Sequence, residues 1–141
     1  MEYRTFLQQS QGCPFCEGDY LDKNAIIITN HRAMVTVAKA PYVVDQLLVI
    51  PKRHVETISE MRVLESFDCL KLIRWAGRRL LQKGHAGYTL LLREGSGVGK
   101  SIPHVHIHLI PSESIDLKNS HLDRKVLSTR EVKQVVKKFR V

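Results

Sequence analysis

No stretch of this chain approaches the roughly 18 consecutive apolar residues that a membrane-spanning helix needs. Met1-Glu2-Tyr3-Arg4 has none of the pattern of a secretory leader. No membrane segment and a cytoplasmic setting are therefore expected. Cysteine is scarce: three residues in a reducing compartment argue against a disulfide framework. Acidic residues are also in short supply, with 14 Asp and Glu against 22 Lys and Arg, a formal charge of +8 that points to polyanionic partners. Charge alone does not separate a nucleotide from a nucleic acid. Internal repeats, low-complexity tracts and interdomain linkers are absent, so 141 residues read as one domain, 1–141, with one hydrophobic core.

What is present is an ordinary globular composition, 43% hydrophobic and 26% charged, which excludes wholesale disorder. Ala25 to Thr29, Ala33 to Ala38 and Gln46 to Ile50 are rich in Ile, Val and Leu and are separated by turn-like segments, which predicts three adjacent antiparallel strands. From about Ser59 to Lys83, Cys69, Leu72, Ile73, Ala76 and Leu80 recur at helical spacing, and Gly84 supplies the stop. Tyr88 to Arg93 and His104 to Ile110 read as two further strands. Ser128 and Glu131 form the capping box of a last helix reaching about Phe139. The predicted class is α+β: a mainly antiparallel sheet of about five strands, one long helix and a C-terminal helix.

The excess charge concentrates on Lys71, Arg74, Arg78, Arg79 and Lys83 of the long helix and on Arg124, Lys125, Arg130, Lys133, Lys137, Lys138 and Arg140. Solvated helix faces explain such clusters, as does contact with a polyanion. Residues 112–141 are accordingly read as a basic C-terminal extension that assists polyanion binding. Cys69 lies within the apolar helical pattern and reads as a small buried thiol.

Most chemical information sits in Ser101-Ile102-Pro103-His104-Val105-His106-Ile107-His108-Leu109-Ile110-Pro111. In a strand, side chains alternate between faces, so His104, His106 and His108 share one side and Val105, Ile107 and Leu109 the other. Three imidazoles in register leave open an exposed polar face, a metal site using all three, or a catalytic array. The preceding loop ends in Gly99-Lys100-Ser101 and mimics a P-loop. A true one needs glycine where Glu94 stands and must open a helix, and this loop opens a proline-bounded strand. Its glycines can still bring backbone N–H groups and the Ser101 hydroxyl near phosphate oxygens.

Cys13-Pro14-Phe15-Cys16 supplies two thiolates, half of a tetrahedral zinc site. A redox pair and an unused dithiol are the other readings, although the redox motif belongs near a βαβ pattern and this one precedes the first strand.

His104-Val105-His106-Ile107-His108-Leu109-Ile110 resembles the signature of the histidine-triad (HIT) superfamily, His-φ-His-φ-His-φ-φ with φ apolar. Leu48-Val49-Ile50-Pro51-Lys52-Arg53-His54 is similar to that superfamily's second block, and with the cysteine pair the resemblance spans roughly Cys13 to Pro111. It implies a HIT-like fold and an enzyme, a nucleotide-binding hydrolase or nucleotidyl transferase. His106 would attack the α-phosphorus of a nucleotide ester, anhydride or phosphoramidate and form a covalent nucleotidyl-imidazole. His108 would contact the leaving group, with Ser101 nearby. In the zinc-bearing branch, which includes galactose-1-phosphate uridylyltransferase, the remaining ligands match His54 and His104, giving a structural Zn2+ on Cys13, Cys16, His54 and His104. A nucleotide or dinucleoside polyphosphate substrate and a homodimer are further implications, with Leu70 and Leu81 off the main helical stripe as candidates for the dimer contact or, equally, for packing on the C-terminal segment.

Several positions depart from the superfamily's pattern. Gln46 stands where many members have histidine, and it hydrogen-bonds without shuttling protons. Val37-Ala38-Lys39-Ala40 carries no carboxylate for the ribose hydroxyls. Arg93 and Lys100 replace Asn and Gln and add charge beside the phosphate site, favouring a highly phosphorylated substrate or a nucleic-acid end. With Gln46 and Ser101 these complete the expected substrate-binding set. The alternative reading is a weakly catalytic or non-catalytic zinc module that binds nucleotide or nucleic acid.

Overall fold

The computed structural model describes residues 1–16, 24–111 and 124–140. The elements run α1 (Tyr3–Gln9), β1 (Ile26–Thr29), β2 (Ala33–Val37), β3 (Leu47–Pro51), a 3-10 turn (Ile58–Glu60), α2 (Val63–Gln82), β4 (Tyr88–Leu91), β5 (Ile107–Pro111) and α3 (Thr129–Phe139). The strands form one antiparallel sheet in the order β1-β2-β3-β5-β4. No helix among the described residues is long and apolar enough to cross a membrane.

The central strands β2 and β3 are buried at every position, which explains why they read as continuous apolar runs instead of alternating patterns. Their side chains serve two cores in turn. Val35, Val37, Leu47, Val49 and Leu109 pack with Cys69, Leu72, Ala76 and Leu80 of α2 and with Val132, Val136 and Phe139 of α3. Met34, Leu48 and Ile50 face the other way, against Tyr3 and Phe6 of α1, Phe15 and Ile102. Each large side chain buried in this way contributes on the order of 1.5–3 kcal/mol.

The α3 helix is therefore part of the core, and cations outside it help to hold it in place. The Arg79 guanidinium donates to the Phe139 carbonyl at 2.9 Å, and Lys125 pairs with Glu131 at 3.1 Å. Ser128 and Glu131 make the expected capping box. Residues 112–123 of the proposed extension, like the Gly18-Asp19 turn, lie outside the described residues.

α1 was not anticipated. Its only sequence signal is the spacing of Tyr3, Phe6 and Leu7, too short a pattern to separate from a loop. α2 starts later than expected, at Val63, where the Glu65 carboxylate accepts from the Arg62 N–H at 2.8 Å. It ends as Gly84 predicts: this residue adopts φ +96°, a left-handed conformation that suits glycine, and the His85 N–H turns back onto the Leu80 carbonyl.

Candidate active site and metal centre

The histidine segment departs from its sequence reading. β5 begins only at Ile107, so His108 is in the strand while His104 and His106 precede it. Register supplies the reason. Val49 pairs with Ile107, which brings Pro51 opposite Val105. Pro51 has no N–H for the ladder, and its carbonyl accepts from His104 Nε2–H at 2.8 Å instead. The Val105 N–H goes to the Val55 carbonyl. The three imidazoles are all buried: their residues are 1%, 5% and 9% exposed. An exposed polar face does not describe them.

Each ring has its protons assigned by its partners. His106 Nδ1–H donates to the His104 carbonyl at 2.7 Å, which leaves Nε2 with a lone pair. Burial, with Lys100 and Arg93 nearby, pushes its pKa down to about 4, so the ring is neutral at pH 7. His108 lies 4.9 Å away, ring to ring. Its Nδ1 is 2.9 Å from Gln46 Nε2, and Gln46 Oε1 accepts from the Tyr42 N–H at 2.7 Å. The amide nitrogen must therefore face His108, His108 Nδ1 accepts, and its proton sits on Nε2. Burial, then the charges of His106, Arg124 and Arg93, hold His108 well below the usual histidine range. The site thus offers a bare imidazole nitrogen beside an imidazole N–H. Gln46, the departure from the superfamily's histidine, defines that second tautomer.

On the other side of His106, one ligand atom each of Cys13, Cys16, His54 and His104 lie within 4.8 Å of one another. His104 Nδ1 is 3.5 Å from Cys13 Sγ and 3.4 Å from Cys16 Sγ, and His54 Nδ1 is 3.3 Å from Cys16 Sγ. A tetrahedral zinc with Zn–S of about 2.3 Å and Zn–N of about 2.0–2.1 Å separates sulfur from nitrogen by roughly 3.5 Å, close to these three distances, so the chemistry and spacing of the donors suit that ion. The His104 Nε2–H bond to Pro51 turns the ring's lone pair toward the sulfurs, the outer-shell arrangement expected of a metal-binding histidine. His54 is held indirectly: Glu65 grips its neighbour Arg53 at 2.7 and 3.0 Å. With a histidine committed to this cluster, a site built on all three triad rings is not what the geometry offers.

The remaining predicted residues surround the triad. Arg93 is 8% exposed; its guanidinium donates to the Val98 carbonyl and, at 3.4 Å, to the Tyr42 hydroxyl, while its Nε is buried without a partner among the described residues. Lys100 donates to the Glu56 carbonyl, and Ser101 Oγ lies 2.8 Å from the Tyr3 hydroxyl. Ala38 is buried at the position where the superfamily often has a carboxylate.

One supporting residue escaped sequence reading. Asp45, 5% exposed and at φ +68°, accepts from His85 Nε2–H at 2.9 Å and from the Lys138 ammonium. This clamp fixes the backbone immediately before Gln46. Its partners are 40 and 93 residues away, and no local pattern signals them.

Residues 22–115 match the HIT domain. The chain belongs to the HIT family. An uncharacterised HIT-like protein of Chlamydia muridarum is 30% identical over 105 residues, covering 71% of this chain and 74% of its own. The nitrilase and fragile histidine triad fusion protein of Caenorhabditis elegans is 28% identical over 73% of this chain, which spans 24% of the fusion. The bis(5'-adenosyl)-triphosphatase of Dictyostelium discoideum is 27% identical over 70% of this chain and 66% of its own. Among solved structures, a hypothetical histidine triad nucleotide-binding protein of Sulfolobus tokodaii superposes with a TM-score of 0.74 at 22% identity, covering 90% of this chain and 89% of that one. HIT membership accounts for the five-stranded antiparallel sheet and its long helix.

Proposed function

We propose that this HIT protein is a nucleotide-binding hydrolase or nucleotidyl transferase acting at the α-phosphorus through a covalent nucleotidyl-His106 intermediate. One observation carries the reading: the bare Nε2 of His106 stands beside the Nε2–H of His108. His106 Nε2 attacks phosphorus as the bond from phosphorus to the leaving group breaks, and the leaving atom departs with the electron pair while accepting a hydrogen bond from His108 Nε2–H. In hydrolysis, water then attacks the phosphorus, the P–N bond breaks to release a nucleoside monophosphate and neutral His106, and the proton lost by the water passes to solvent. Relatives named as bis(5'-adenosyl)-triphosphatases support a dinucleoside polyphosphate as substrate class. Ser101, Lys100 and Arg93 are assigned to the phosphates, with the orphan Arg93 Nε as a donor waiting for an oxygen.

A structural Zn2+ on Cys13, Cys16, His54 and His104 is part of the proposal, and it would supply no more than a charge-balanced tie between the cysteine knuckle and the loop bearing His106. The quartet supports placing the chain on the zinc-bearing side of the superfamily, near galactose-1-phosphate uridylyltransferase. Free thiols suit a reducing cytoplasmic setting. A homodimer is supported by apolar side chains left exposed on α2 and the edge strand β4: Phe67, Leu70, Leu81 and Leu90. A nucleic-acid end as substrate is the second reading, favoured by the exposed Lys71, Arg74 and Arg78 of α2.

Single-turnover reaction with radiolabelled diadenosine triphosphate, quenched and digested, tests the reading. Label on the His106 peptide is expected; turnover with no protein-bound label rejects the covalent route. A non-catalytic module would give neither label nor turnover.

A further inference from the structure

Tyr3 and Arg124 both lie outside residues 22–115, the part of the chain that matches the family. Their segments are paired with each other. The Tyr3 N–H donates to the Arg124 carbonyl at 2.8 Å, the Val126 N–H donates to the Met1 carbonyl at 2.8 Å, and Glu2 and Lys125 form an antiparallel bridge. The resulting strap is fastened to the loop before β3 by the Leu127 N–H on the Lys39 carbonyl at 2.7 Å and by Arg124 Nε–H on the Ala40 carbonyl at 2.8 Å. Tyr3 is 4% exposed, and α1 holds it against the core by Phe6.

The strap carries two side chains to Ser101 and to Tyr42, whose ring meets His108. The Tyr3 hydroxyl meets Ser101 Oγ at 2.8 Å. The Arg124 guanidinium lies over the Tyr42 ring at 4.0 Å and the Tyr3 ring at 5.0 Å, and the Tyr42 ring is 6.2 Å from His108 in an edge contact. A guanidinium set over two rings with its Nε–H already committed is held in one orientation. Its charge is felt at His108, the ring assigned to the leaving group. Asp45, the carboxylate nearest in sequence to Gln46, is engaged by His85 and Lys138.

We propose that this strap is the leaving-group subsite: Arg124 binds the anionic phosphates of a polyphosphate leaving group, and Tyr3 positions the Ser101 hydroxyl toward the scissile bridge. With the phenol donating to Ser101 Oγ, one of the two directions open to this pair, the serine's own proton is left for a substrate oxygen. Tyr3 is a positioning residue that acts through Ser101. The inference rests on the proposed reaction for its kinetic consequences, but the binding of anions to Arg124 does not depend on it.

Arg124→Gln removes the charge and keeps an amide N–H for the Ala40 carbonyl. With wild type and variant shown to be equally folded by circular dichroism, kcat/KM for diadenosine triphosphate is expected to fall about tenfold or more. For a nucleoside 5'-phosphoramidate, whose leaving amine is uncharged, the loss stays below about threefold. Equal losses on both substrates overturn the assignment. Inorganic tripolyphosphate titrated calorimetrically provides the readout independent of turnover: about tenfold weaker binding to Arg124→Gln supports the subsite, and equal affinity refutes it. If wild type turns over neither substrate yet binds tripolyphosphate through Arg124, the reaction assignment fails and the subsite stands.

Tyr3→Phe keeps the ring and removes the hydroxyl, and it is expected to lower kcat by about three- to tenfold with KM little changed. In a Ser101→Ala background the same change should cost nothing further, because its route through Ser101 is gone. A loss of the same size in both backgrounds, or no loss in either, contradicts the positioning role.

Discussion

Replacing Gln46 with leucine tests how the site assigns its protons. Gln46 is 2% exposed and spans two buried partners, the Tyr42 N–H at 2.7 Å and His108 Nδ1 at 2.9 Å. Leucine matches the volume and satisfies neither. Each of the two orphaned groups costs about 1–3 kcal/mol, and the added apolar burial returns about 1–2 kcal/mol, so a net loss of about 1–4 kcal/mol is expected. For a chain of this size that is a fall of roughly 10 °C in melting temperature, which leaves the protein folded at 25 °C. The catalytic effect has a different signature. His108 loses the bond that orients its ring and keeps its proton on Nε2, and one such bond is worth about 1.4 kcal/mol, or about tenfold in kcat. That factor should appear with a poor leaving group such as a nucleoside alkoxide. It should nearly vanish with p-nitrophenolate, whose delocalised charge needs little hydrogen-bond stabilisation. Differential scanning calorimetry and kcat across a series of leaving groups read the two effects. An unchanged melting temperature, or the same loss of kcat for every leaving group, would refute the reasoning.

Other consequences are as direct. Cys16→Ser should lower the zinc content of protein purified without chelators from one ion per chain and reduce thermal stability, as measured by metal analysis and calorimetry; a wild-type protein free of zinc contradicts the metal assignment. Arg53 holds the Glu65 carboxyl down to about 2 from 4.5. Its depressed pKa means that its stabilisation is complete above about pH 4.5 and fades as pH falls toward 2, so acid titrations should show Glu65→Gln less stable at pH 7 and less sensitive to acid over that window. A Gln variant with the wild-type acid profile would show that the pair contributes nothing. Phe139→Ala, at a fully buried position of α3, should cost about 3–5 kcal/mol in urea unfolding; a loss under about 1 kcal/mol would mean that the basic helix is a dispensable tail.

Legibility in the sequence followed the range of the interaction. The strands are readable because Val35, Val37, Leu47 and Val49 belong to one core and Met34, Leu48 and Ile50 to the other, so both faces favour apolar side chains. The α3 capping box and the Gly84 stop are contained within a few residues and were read correctly. The triad is legible as a group, but its strand is shorter than the pattern predicts, because the limit is set by Pro51 across the ladder and not by any residue in the segment. Composition suggested that the C-terminal cations meet solvent or a polyanion. Lys138 on Asp45 and Arg79 on the end of α3 have partners chosen by tertiary packing, which charge patterning does not reveal. α1 and its Tyr3 contact to Ser101, 98 residues away, were invisible for the same reason.

The central claim is that His106 carries the nucleotidyl group. Rapid-quench mass spectrometry of wild type and His106→Gly with diadenosine triphosphate measures it most directly. The account predicts an adenylyl adduct on the His106 peptide of wild type that forms and decays as fast as turnover, and a His106→Gly protein that still binds nucleotide but forms no adduct and does not turn over. An adduct on another residue, or full turnover by a His106→Gly preparation free of wild-type enzyme, would contradict it.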